Sequence, residues 1–167
     1  NLCIGELQKV FGELKVLWNE FTNCGVCHTQ DTTTKEVTLD QVQYINNMRP
    51  ISHPDLKGDP EASCSPEVHK LFMSLLGAVA YAAQTRVDCL VFICALQRHN
   101  AATRIDHAQR LDKQLRWMQR NHRKIHYRKL TDRASQLRMI SDAAFKRENE
   151  DGYSLRGALY LRCPGTQ

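Results

Sequence analysis

The stretch Leu71 to His99, LFMSLLGAVAYAAQTRVDCLVFICALQRH, constrains this chain most, because no other segment carries enough apolar side chains to be the wall on which the rest packs. It reads as two helices. Ser65 followed by Pro66 is an N-cap with proline at the first helical position, where no amide hydrogen is needed and φ is already helical. From there Val68, Leu71, Phe72, Leu75, Leu76, Val79 and Ala83 recur at three- and four-residue steps and predict one broad apolar stripe. Thr85 and Asp88 have the spacing of a capping box, which predicts a second helix carrying Leu90, Val91, Ile93, Cys94 and Leu96. Gln84, Thr85, Arg86 and Asp88 interrupt the run, so neither apolar block reaches the roughly 20 residues that cross a bilayer. A buried helical pair is the expectation, and no membrane partner.

The flanking segments read as mixed structure. Ile4, Leu7 and Phe11 have helical spacing and run into a strand-like LKVLW at 14–18. Glu20 to Thr29 and Glu36 to Leu39 read as two strands joined by the polar turn Asp31 to Lys35. Asp40 is placed to cap a short helix, QVQYINNM, with Gln43 three residues on to bond back. Arg49 to Ser63 holds Pro50, Pro54, Gly58 and Pro60 without periodicity and reads as a linker or irregular loop. Thr103 and Asp106 repeat the capping-box spacing and open a third helix with an inner stripe of Ile105, Ala108, Leu111, Leu115 and Met118. Residues 125–128 read as a short strand, and Gln136 to Phe145 and Tyr153 to Cys163 as two more around the charged loop KRENEDG. The predicted fold class is therefore α+β: an N-terminal β-hairpin with a short helix, a central bundle of about three helices, and a C-terminal β-hairpin.

Length and composition fit this reading. The chain has 167 residues, 42% of them hydrophobic and 25% charged, enough for a real core. It begins at Asn1 without a signal-like segment and ends shortly after a strand-like run, and is expected to be a piece of something longer. Seven cysteines are an odd number, and Cys89 and Cys94 fall inside an apolar helix. That favours free thiols in a reducing compartment, hence an intracellular location, cytoplasmic or nuclear.

Charge is unevenly distributed. Between Arg98 and Arg133 eleven Lys or Arg stand against three Asp, which leaves the rest of the chain net acidic although the whole carries +5. Arg110, Lys113, Arg116, Arg120, Arg123 and Lys124 form the heart of this block. Such a block can neutralise several phosphates, the basis of nucleic-acid binding without sequence preference; a solvated helix face is the competing reading.

Two constellations invite metal or cofactor chemistry. Cys24-Gly-Val-Cys27-His28 has the spacing of a covalent haem attachment site, but the flanking sequence supplies no distal ligand or haem pocket, and no haem is expected. A zinc site from Cys24, Cys27 and Cys64 or His69 would need Gly25 to make a sharp knuckle, since residues three apart on a strand point to opposite faces. Two ordinary strand cysteines is the better reading, with zinc not expected. Asp142, at the end of the apolar strand MISDAAF, could ligate Mg²⁺ or be a plain turn residue. No Gly-rich phosphate loop and no nucleophile elbow occurs.

Taken in order, these segments resemble the Pol polyprotein of copia-type retrotransposons. FGELKV at 11–16 resembles that family's "GELKYFLG", EVTLDQVQYI at 36–45 its "I-x-L-S-Q-x-x-Y", and LFMSLLGAVAYAAQTRVD at 71–88 its "YRSLVGSLMYLAxxTRPD". Asp106 to Arg120 falls where "AHWKAAKRVLRYLKGT" belongs, SDAAF at 141–145 resembles "YSDADWAGD", and SLRGALYLR at 154–162 resembles "STSGYVFLLG". The resemblance implies that residues 1–49 are the end of a reverse transcriptase palm, 50–64 a linker, 65–130 a helical thumb or connection, and 131–167 the first strands of a ribonuclease H-like sheet. It further implies Asp142 as the first Mg²⁺ ligand and catalytic carboxylate of an incomplete site, and as partners an RNA/DNA hybrid and the rest of the Pol polyprotein. Val87 stands where the family has proline, Ala144 where it has a second acid, and no Tyr-x-Asp-Asp polymerase motif is present. The expectation is a nucleic-acid-contacting fragment of an RNA-directed DNA polymerase and ribonuclease H without a complete active site. The rival is a non-catalytic basic helical interaction domain binding RNA or protein.

Overall fold

Residues 2–129, 135–144 and 155–164 are described by the structure, a computed structural model. The described fold is α+β, with five α-helices, a four-stranded antiparallel sheet and a separate two-stranded sheet. The chain divides into two compact units, Asn1–Tyr127 and Arg128–Gln167.

The core of the first unit is built on α3 (Pro66–Ala82), whose buried face is Val68, Phe72, Leu75, Leu76, Val79 and Ala82. The predicted stripe thus holds except at its margins, where Leu71 is 41% exposed and Ala83 only half-buried. Ser65 precedes Pro66 in an extended conformation, but its hydroxyl donates to Asp55 Oδ2 at 2.7 Å instead of capping the helix. Against α3 pack α2 (Val42–Asn47), α4 (Leu90–Gln97) and α5 (Ile105–Arg120). α5 buries its predicted stripe of Ile105, Ala108, Leu111, Leu115 and Met118.

Two predicted capping boxes are replaced. Thr85 is buried and donates to Gln41 Oε1 at 2.9 Å, and a 3₁₀ turn at Val87–Cys89 precedes α4. At α5 the cap position is Arg104, whose amide donates to His107 Nδ1 at 3.1 Å, while Thr103 Oγ1 donates to His99 O at 2.9 Å. α4 also buries less than its sequence promises: Ile93 and Leu96 are inside, whereas Leu90, Val91 and Cys94 are exposed.

The first sheet has the order β1 (Glu20–Asn23), β2 (Val26–Gln30), β3 (Val37–Asp40), β4 (Ile125–Tyr127). The segment read as one strand from Glu20 to Thr29 is therefore two strands. Cys24 (φ 48°) and Gly25 (φ 74°) both adopt positive φ, as a two-residue type I′ hairpin requires. A Cβ on Gly25 would lie 3.3 Å from the Tyr44 ring, and Tyr81 OH donates to Cys24 O, so the turn is held against α3. LKVLW at 14–18, read as strand-like, pairs with no strand among the described residues, and the helical pattern before it is α1 (Leu2–Phe11). Asp40 Oδ1 accepts from Val42 N at 3.1 Å, the expected start of α2. β4 pairs with β3 although residues 41–124 lie between the two strands, and the segments 1–49 and 65–127 share one unit.

In the second unit β5 (Ser135–Ala144) and β6 (Leu155–Pro164) pair antiparallel, which puts Asp142 opposite Gly157. The charged loop KRENEDG lies outside the described residues. No helix among the described residues is long and apolar enough to cross a membrane.

Candidate nucleic-acid interface

The basic residues of α5 are placed by the helical period. With 100° per residue, burying 105, 108, 111, 115 and 118 turns 110, 113, 116, 117 and 120 onto an arc of about 120° on the opposite side. Arg110, Lys113, Arg116, Trp117 and Arg120 are all exposed there. Arg123 and Lys124, also exposed, follow the helix.

The structure divides these six cations into two sets of three. Arg110 Nη2 lies 2.8 Å from Asp106 Oδ2, Arg123 Nε 3.6 Å from Asp88 Oδ2, and Lys124 Nζ 3.0 Å from Asp40 Oδ2. Lys113, Arg116 and Arg120 have no carboxylate within salt-bridge distance among the described residues. Asp112, four residues before Arg116 on the helix, accepts from Ile51 N at 2.8 Å; burial pushes its carboxyl above the usual range, opposed by that hydrogen bond and by the nearby Arg116 charge. The three cations, none of them salt-bridged among the described residues, thus present themselves to solvent on one face.

Two residues that sequence reasoning passed over shape the ends of this face. Trp117 falls out of phase with the apolar stripe, the signal that it belongs to the surface. Arg86 is fully buried: Nε and Nη2 donate to Asp88 Oδ1 and Oδ2 at 3.0 and 2.9 Å, Nη1 donates to Met118 O at 3.3 Å, and the guanidinium sits over Trp117, 5.2 Å from the ring centroid. This bidentate pair holds the Asp88 carboxyl below its ordinary range. It also fixes the end of α5 and its indole from beneath, where a mobile Trp would lose rotamer freedom on binding.

Between α4 and α5 lies a groove of about 440 Å³ whose walls include Phe92, Leu96 and Trp117 and whose rim carries Arg110 and Lys113. A smaller cleft of about 220 Å³ continues from Lys113 and Trp117 past Arg116 to Arg120. Apolar and aromatic surface therefore runs beside the free cations.

The other candidates are dispersed. Cys24 lies in the hairpin turn and Cys27 on β2, Cys64 is bridged to the start of α5 through its amide, and His69 Nε2 is 2.8 Å from Asn100 O. No three His, Cys, Asp or Glu side chains converge as a metal site among the described residues. Asp142 is placed by its backbone near the end of β5. Compared with known proteins, the chain matches no family model, no curated protein and no solved structure.

Proposed function

We propose that the chain is the connecting region between reverse transcriptase and ribonuclease H of a copia-type retrotransposon Pol polyprotein, and that α5 rides on the phosphates of an RNA/DNA hybrid. The observation that carries this reading is the row Lys113, Arg116 and Arg120, three exposed cations without salt bridges among the described residues, on the face opposite the core. An aligned row of such cations matches the regular spacing of charge on a polyanion. The wide, shallow minor groove and phosphate rails of an A-like hybrid offer such a row a partner recognisable by shape.

The second unit suits the start of a ribonuclease H-like sheet. β5 and β6 leave Leu137, Met139, Ile140, Tyr160 and Leu161 exposed, and a two-stranded sheet is at best marginal until further strands or helices cover it. Within this reading Asp142 is one Mg²⁺ ligand of the parent ribonuclease H. Two-metal hydrolysis needs several converging carboxylates, so a single strand aspartate holds no complete site, and the fragment is not itself a polymerase or nuclease.

The test is the salt dependence of binding to an RNA/DNA hybrid. Changing Lys113, Arg116 and Arg120 together to Gln is expected to weaken binding and to flatten the slope of log affinity against log salt by about 2 to 3. An unchanged slope assigns these charges to solubility and removes the phosphate-tracking role.

A further inference from the structure

The free cations account for phosphates; the groove beside them has no such explanation. It is lined by two aromatic side chains from different helices, Phe92 on α4 and Trp117 on α5, 58% and 41% exposed. Exposed aromatics facing one groove are costly to leave in water and are the usual stacking platforms for unpaired bases. One face of the Trp117 ring is already occupied by the buried Arg86 guanidinium, so the indole is held in place and its remaining surface is turned to the groove. Lys113 and Trp117 line both the groove and the cleft that leads on to Arg116 and Arg120. From Lys113 to Arg120 the helix advances about 10 Å, a reach that covers more than one phosphate of a single strand.

We propose that the α4–α5 groove takes an unpaired nucleobase of a nucleic acid, stacked on Trp117 and Phe92, with the neighbouring phosphates on Lys113, Arg116 and Arg120. The inference rests on the nucleic-acid reading above and adds to it a preference for ends or junctions where a hybrid gives way to single strand. Charge complementarity selects this occupant over an acidic amphipathic peptide: the cations form a row running away from the groove on one side, as a strand leaving a stacked base would require, and do not surround it. Stacking is tolerant of base identity, so little sequence preference is expected.

The experiment uses the whole chain carrying Trp18→Phe, which leaves Trp117 as the only indole. Binding is measured to a blunt RNA/DNA hybrid and to the same hybrid extended by about six unpaired nucleotides, and Trp117 emission is followed. The overhang is expected to tighten binding about tenfold, the effect of one well-stacked base, and to quench the indole. Phe92→Ala and Trp117→Leu are each expected to lose most of that gain. Because Trp117 touches Arg86 and its variant risks unfolding, the Phe92 variant and the quenching carry the test independently. Equal affinity for blunt and extended hybrids, with salt-sensitive binding to both, overturns the groove assignment and leaves the phosphate reading standing. Loss of all hybrid binding overturns both. Quenching by an acidic amphipathic peptide but not by the extended hybrid assigns the groove to a protein partner and overturns the proposal.

Discussion

Helices α4 and α5 lie side by side and invert the expectation that apolar content decides burial. α4, LVFICALQ, has hardly a polar side chain, yet it buries only Ile93 and Leu96. α5, IDHAQRLDKQLRWMQR, is mostly polar and buries seven residues, among them Asp106 and His107. The difference is periodicity: α5 repeats its apolar residues at three- and four-residue steps over sixteen positions, whereas eight residues of nearly uniform apolarity give α4 no preferred face and leave six of them exposed. Content without phase makes surface; phase with little content makes core.

The contrast can be broken most forcefully at α5. Leu115, fully buried, is expected to cost about 2 to 5 kcal/mol on change to Ala, read by urea denaturation, because a cavity remains where it was. A loss under half a kcal/mol would mean that the stripe is not the core.

A smaller effect is expected at His107, on the same buried face. Burial holds its imidazole below the ordinary 6.5, helped by His99, Arg104 and Arg110 and opposed by Asp106. A folded-state pKa depressed in this way means that the unfolded chain takes up the proton more readily, so stability should fall as pH drops below about 6.5, by at most about 1.4 kcal/mol per pH unit. Denaturation at a series of pH values should show that decline, and His107→Gln should flatten it. A variant that keeps the full decline would locate the titration elsewhere.

The smallest effect belongs to α4. Val91 is 76% exposed, and Val91→Ser is expected to change stability by no more than about 0.5 kcal/mol. A loss of several kcal/mol would show that this face is covered after all.

The same contrast explains what the sequence revealed. α3 and α5 were legible because their stripes are periodic, and the strand pairs β5–β6 and β2–β3 because turn residues bracket them. The β1–β2 hairpin was not: Cys24 and Gly25 form the turn with a cysteine at positive φ, which no local preference favours, and it is Tyr81 from α3 that secures it. The capping boxes failed for a related reason, since Thr85 finds a better partner in Gln41, 44 residues away. Of the candidate interface, the charge block was visible but not its division into paired and unpaired cations, which depends on where Asp40, Asp88 and Asp106 come to lie. Arg86 was hidden most completely, because an arginine is assumed exposed until its carboxylate and carbonyl partners are placed.

The pairing of β3 with β4 bears on how the chain is made. While a ribosome is still producing α3, α4 and α5, the hairpin and β3 are already outside, and the β3 edge stays open until residues 125–127 emerge. An unpaired edge is a template for any passing strand, and until β4 arrives that edge is the four-residue β3 in place of the three-residue β4, so in this interval the nascent chain is more open to association with its neighbours. The covering of β3 is deferred to almost the last residues of the unit, and a truncation before Ile125 should leave a chain whose helices pack but whose sheet presents β3 as a longer adhesive edge.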